Sequence, residues 1–166
     1  MSLIIENGTG LANAESYIAV TAATAYHASL GNAAWAALAS DTIREQLLRK
    51  ATGYMQQTYN GRWKGVQATS TQALDWPRVG VLVNGWVVPN LTIPVDLANA
   101  CAELALRAAS ADLSPDVGPQ VTSETVGSIS VSYAVGARQT TAFKAVDNLL
   151  AKYLTGGHGA IPVVRA

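Results

Sequence analysis

The sequence predicts a mainly α-helical protein: a four-helix bundle-like domain with one or two β-hairpins and extended terminal arms. Three observations carry that expectation. Two long stretches, 40–60 and 94–111, repeat apolar residues at helical spacing. Val81-Leu82-Val83 and Trp86-Val87-Val88 flank Asn84-Gly85, a tight-hairpin signal because both turn residues need φ > 0. Ala98, Ala100, Ala102, Ala105 and Ala109 fill the second long helix, and such small side chains let a neighbouring backbone approach closely.

Taken in order, Leu3-Ile4-Ile5 is a short apolar run halted at Asn7-Gly8-Thr9-Gly10, a strand followed by turns. Thr21 is the expected N-cap of a helix from about Ala22 to Leu30, ended by Gly31. Ala33 to Leu38 gives a short helical turn around Trp35. Ser40 and Thr42 are equal candidates to cap the next helix, Thr42 having capping-box spacing to Glu45. Its inner stripe is expected at Ile43, Leu47, Ala51, Tyr54 and Thr58, flanked by Leu48 and Met55. Arg44, Arg49 and Gln56 then face outward. Gly53 weakens this helix by about 1 kcal/mol relative to Ala and points to a close helix crossing.

Gly61 to Thr71 has no regular period and is expected as a loop. Pro77 biases Trp76 towards extended backbone. Pro94 then opens the central helix at its first position. Asp96 opposes the positive end of the macrodipole. Leu97, Cys101, Leu104 and Ala108 form the inner face, while Glu103 and Arg107 make a surface pair worth ~0.3 kcal/mol. Beyond a linker at 114–119, Ile129, Val131 and Tyr133 alternate with serines as a half-buried strand, and 121–126 is its hairpin partner. Thr141 caps a last helix with Phe143, Val146, Leu149, Leu150, Tyr153 and Leu154 inward, and Lys144, Asp147 and Lys152 outward. A flexible tail is expected over about 156–166. Its Ile161, Val163 and Val164 are candidates for an arm exchanged between subunits. One domain is expected across 1–166.

Composition narrows the function. Charged residues make up 13% of the chain, against about 25% in ordinary globular domains, and the formal net charge is +0. Weak self-repulsion favours association, so a subunit of an assembly is expected. Backbone binding to nucleic acid needs clustered Lys and Arg, and there is no global excess. No apolar run approaches the ~18–20 residues of a membrane span, so no membrane contact is expected. No leader is expected either, since Met1 to Ile5 has no basic flank. Cys101 is alone, which excludes an intramolecular disulfide, and it falls on an apolar helix face as a small hydrophobe. Neither His27 nor His158 has metal-ligand spacing to a partner, and no phosphate-binding or nucleophile motif occurs. No catalytic residue, cofactor or metal is therefore expected.

One local feature stands out. Arg44, Arg49, Lys50, Arg62 and Lys64 make a positive patch if helix and loop fold together. With Trp63 among them, Arg62, Trp63, Lys64 and Arg49 are the candidates for nucleic-acid or partner contact. A solvated helix face with a core Trp anchoring the loop, and docking to an acidic protein surface, remain open alternatives. Trp76 is expected as a lid on the helices and Arg78 as a partner for Asp75.

Several segments recur together in one known group: Ala14 to Tyr17, Ala33 to Leu38, Leu48 to Thr52, Gln72 to Arg78, Ile93-Pro94 before Cys101 to Ala105, and Val126 to Tyr133. The chain thereby resembles a family of small tailed-phage and prophage proteins. Some are labelled DnaT-like single-stranded DNA-binding proteins, and they also look like head–tail connector adaptors. The resemblance implies no catalytic residue. Zero net charge and Ala-rich helices favour the connector. The expected function is then a structural virion protein in the neck, assembled in the host cytoplasm. It forms a ring, twelvefold as the resemblance implies, between the portal protein and the tail or a second adaptor, with double-stranded DNA passing through. The alternative is a DnaT-like single-stranded DNA binder.

Overall fold

Helix α4 (Val95–Ala108) is the element the others surround. Leu97, Cys101 and Leu104 are fully buried along it, and so are Ala100, Ala102 and Ala105. In the computed structural model, which describes residues 2–116, 123–126, 129–132 and 141–156, helices α1 (Val20–Ser29), α3 (Asp41–Tyr59) and α5 (Lys144–Leu150) pack on α4. The single-turn α2 (Ala33–Ala36) packs on α1, and a 3-10 turn, Ala151–Tyr153, extends α5. Short antiparallel pairs join β1 (Val66–Gln67) to β2 (Arg78–Val79), β3 (Leu82–Val83) to β4 (Trp86–Val87), and β5 (Ser123–Val126) to β6 (Ile129–Ser132). The described residues are thus mainly helical with small antiparallel hairpins. None of their helices is long and apolar enough to cross a membrane.

The strongest local signals hold. Asn84 (φ 53°) and Gly85 (φ 84°) turn the β3–β4 hairpin, which pairs Val83 with Trp86 and Leu82 with Val87. Ser40, and not Thr42, caps α3, its Oγ accepting from the Ile43 N–H at 3.3 Å. β5 and β6 pair through Val126 and Ile129, the register expected of 121–126 against 129–133.

Other boundaries shift for physical reasons. Leu3 to Ile5 makes only one bridge, Ile5 with Ser16, and no strand. The buried Glu6 carboxylate accepts the N–H groups of Gly8 and Gly10 at 2.9 Å and of Leu11 at 2.8 Å, which bends the chain back at once. Gly8 is needed there: at φ 102° a Cβ would sit 2.3 Å from the Leu91 carbonyl oxygen. α1 starts at Val20, so Thr21 lies inside it and no side chain caps it. Pro94 is the N-cap residue of α4 and not its first helical residue, and the helix ends at Ala108, three residues early. Thr141 does not cap α5, whose N-cap residue is Phe143.

The buried face of α3 runs through Leu47, Leu48, Ala51, Thr52, Met55 and Tyr59: Leu47 and Ala51 of the expected stripe hold, as do its flanks Leu48 and Met55, while Thr52 and Tyr59 are buried beyond it. Ile43 is exposed and Thr58 only half-buried. Satisfied polar tips make the added burial of Thr52 and Tyr59 possible. Thr52 Oγ1 donates back to the Leu48 carbonyl at 2.9 Å, and Tyr59 Oη donates to Asp147 at 2.8 Å, so both residues enter the core satisfied. Asp147 accordingly faces inward, against expectation. Gly53 marks no helix crossing, since a Cβ there would meet nothing within 4 Å. Ile161, Val163 and Val164, the candidate arm, lie outside the described residues, as does His158.

Candidate nucleic-acid interface

The segment 61–65 is not a free loop. Trp63 is 5% exposed and belongs to a column of rings, Tyr59, Trp63, Trp76 and Tyr153. Its neighbours Trp76 and Tyr153 meet edge-on at 5.6 Å, and Trp76 is completely buried, a core ring more than a lid. Trp63 Nε1 donates to Asp75 Oδ2 at 3.0 Å. Burial raises the Asp75 pKa, opposed by that hydrogen bond and by the charge of Arg78. Trp63 is buried, so of the readings left open by the sequence the core Trp that anchors the loop holds and the stacking face does not.

The cations around the column are fixed by backbone carbonyls. Arg78 does not pair with the Asp75 carboxylate as expected. Its guanidinium donates to the carbonyl oxygens of Lys64 (2.8 Å), Gly65 (2.7 Å) and Asp75 (3.1 Å). Lys64 Nζ donates to the carbonyls of Lys152 (2.8 Å) and Leu82 (3.3 Å). The Arg62 guanidinium lies 5.6 Å over the Tyr59 ring, and the Arg62 carbonyl accepts from both the N–H and the hydroxyl of Thr155. Lys152 Nζ lies 2.6 Å from Asp96, which also accepts from Tyr153 Oη at 2.9 Å. Burial pushes the Asp96 pKa up, but the hydrogen bonds from Lys152 and Tyr153 and the Lys152 charge outweigh it, so the net shift is down.

Four cations, Arg62, Lys64, Arg78 and Lys152, thus surround the aromatic column, whose rings and cations hydrogen-bond the carboxylates of Asp75, Asp96 and Asp147. The β3–β4 hairpin stands on this corner through the Lys64–Leu82 bond. It carries Trp86, which is 81% exposed, whereas Trp35, Trp63 and Trp76 are all buried. Trp86 is therefore the one indole open to solvent.

Two of the four sequence candidates, Arg62 and Lys64, come together here. Arg49 does not. It sits ten residues before the end of α3, ~15 Å along the axis, in ion pairs with Glu15 (3.0 Å) and Glu45 (3.5 Å). Arg44 is likewise committed, to Asp41 and to the carbonyls of Trp35, Ala36 and Leu38. Sequence reasoning missed Trp86, Arg78 and Lys152. The available signal for Trp86 was its place beside the turn of a hairpin with no third strand, where a large ring has little to pack on.

The site thus combines an exposed indole with a cation-bearing corner, the hairpin that carries the indole being tied to that corner by Lys64. The whole chain, residues 1–166, matches the family described as "Putative DnaT-like ssDNA binding protein" and belongs to that family. No curated protein matches the chain, and neither does any solved structure.

That membership overturns the expected head–tail connector, together with its virion, ring, dodecamer, portal, tail and double-stranded DNA partners. It agrees with the alternative, a DnaT-like single-stranded DNA binder. The physical error lay in judging charge over the whole chain. A net charge of +0 is compatible with four cations drawn from 62, 64, 78 and 152 into one place.

Proposed function

We propose that the protein binds single-stranded DNA, without catalysing a reaction, at the corner formed by Arg62, Lys64, Arg78, Lys152 and the β3–β4 hairpin. The observation that carries this reading is Trp86, 81% exposed on a hairpin held by Lys64. Family membership over the whole chain supports it. A base stacked on an exposed aromatic ring contributes about 1–3 kcal/mol whatever its identity, because every base has a π-face. A paired base hides that face inside the duplex, so the same ring favours single strands. Arg62, Lys64 and Arg78, whose described partners are carbonyls and a ring, contact phosphates, while Lys152 is neutralised by Asp96; phosphate contacts give affinity without sequence information. Zero net charge gives little long-range attraction, so binding is moderate and sensitive to salt.

The test is fluorescence anisotropy with labelled oligothymidylate and a duplex of equal length, over a salt series. The expected result is tighter binding to the single strand, with a log–log salt slope of about −0.7 per phosphate contacted. Trp86→Ala is expected to weaken binding about tenfold, within the stacking range, without changing stability. Equal affinity for duplex, or no binding at low salt, contradicts the proposal.

A further inference from the structure

We infer that the groove between α3, the end of α4 and the start of α5 is a second subsite for the same DNA strand, holding one base with its flanking phosphates; this rests on the single-strand reading above. The groove encloses about 440 Å³, lined by Lys50, Gly53, Tyr54 and Gln57 of α3 and by Asp112 and Leu113 beyond α4. A second concavity of about 380 Å³ shares Asp112 and Leu113 with it and is lined further by Arg107, Phe143 and Lys144. These volumes lie in the range of small-ligand sites.

Three observations point to a nucleotide. Tyr54 and Phe143, both half-buried, meet edge-on at 5.5 Å and give the groove an aromatic wall. Lys50 and Lys144 are exposed at its two ends, and the carboxylate between them, Asp112, accepts the Ser114 N–H at 3.1 Å. Gly53 is the third. An interior glycine costs helix stability, and here no packing repays it, because nothing lies within 4 Å of where its Cβ would be. Any side chain at 53 projects into the groove, so glycine is what keeps the groove open.

Spacing links the two sites. Lys144 at the groove and Lys152 at the basic corner are eight residues apart along α5 and its 3-10 extension, about 13 Å. Stacked nucleotides advance about 3.4 Å each, so a strand of about four nucleotides connects the two.

The test uses the full chain, oligothymidylates of three and twelve nucleotides, and the variants Gly53→Leu and Lys50→Gln/Lys144→Gln. Gly53→Leu fills the groove while improving helix propensity. It is expected to weaken binding of the 12-mer about 5- to 30-fold, within the range for one stacked base, with an unfolding midpoint no lower than wild type. The 3-mer, too short to span both sites, is expected to bind the variant and the wild type alike. The double Lys variant, which removes no core contact, is expected to lower the salt slope for the 12-mer by about 1.4, two contacts at about 0.7 each. If both variants bind the 12-mer as wild type does while Trp86→Ala does not, the groove is no subsite and the single-strand reading stands. If the wild type binds neither oligonucleotide, both readings fall.

Discussion

The indole of Trp63 meets that of Trp76 edge-on, with ring centres 5.9 Å apart and planes at 87°. That contact turns a candidate base-stacking residue into part of the core, and it separates two kinds of tryptophan by experiment. Trp63→Ala removes a buried ring and leaves Asp75 without its donor. It is expected to cost about 3–5 kcal/mol. Trp63→Phe keeps the ring contact and is expected to cost less. Urea unfolding checks both, and Trp63→Phe is expected to bind DNA like wild type.

Lys64 acts as a clamp. Its ammonium joins the hairpin, through Leu82, to the 3-10 turn, through Lys152. Lys64→Met keeps the aliphatic stem and loses both bonds and the charge. The expected effect on DNA is larger than loss of one phosphate contact, because the hairpin that carries Trp86 is released. Hydrogen exchange is expected to quicken at Val88, whose N–H bonds to the Val81 carbonyl at the hairpin base. Unchanged exchange there contradicts the clamp.

Asp96 and Asp75 respond to pH with opposite sign. Folding lowers the Asp96 pKa, because its bonds to Lys152 and Tyr153 outweigh burial. Its stabilisation is complete above the unfolded value of about 3.9 and is lost as pH falls through the folded value. Folding raises the Asp75 pKa by burial. Any stability from that group is present below its unfolded pKa and is lost as pH rises through the folded one. Urea midpoints measured from about pH 7 down to about pH 2 are expected to fall less steeply for Asp96→Asn. Asp75→Asn, which still accepts from Trp63, is expected to gain on wild type as pH rises from the acid limb to neutrality.

What the sequence revealed depended on how local each signal was. The Asn84-Gly85 turn and the inner face of α4 are set by residues within a few positions of one another and appear as expected, and of the two equal cap candidates Ser40 and Thr42 the structure selects Ser40. The face of α3 was legible at Leu47, Leu48, Ala51 and Met55 but not at Thr52 and Tyr59, which bury polar groups whose partners are Leu48 and the distant Asp147. The interface was half legible. Arg62 and Lys64 are adjacent to Trp63 in sequence and read as a patch. The burial of Trp63 depends on Trp76 and Tyr153, far along the chain, and so did the recruitment of Arg78 and Lys152. Composition supplied no correction, since averaging over 166 residues hides four converging cations.

The most direct measurement is the intrinsic tryptophan emission during titration with unlabelled oligothymidylate. Trp86 is the indole open to solvent, and the other three are buried. Saturable quenching of a red-shifted component is expected in the wild type and is expected to vanish in Trp86→Phe. Quenching of the same size in Trp86→Phe, or none in the wild type at low salt, contradicts single-strand binding at this corner.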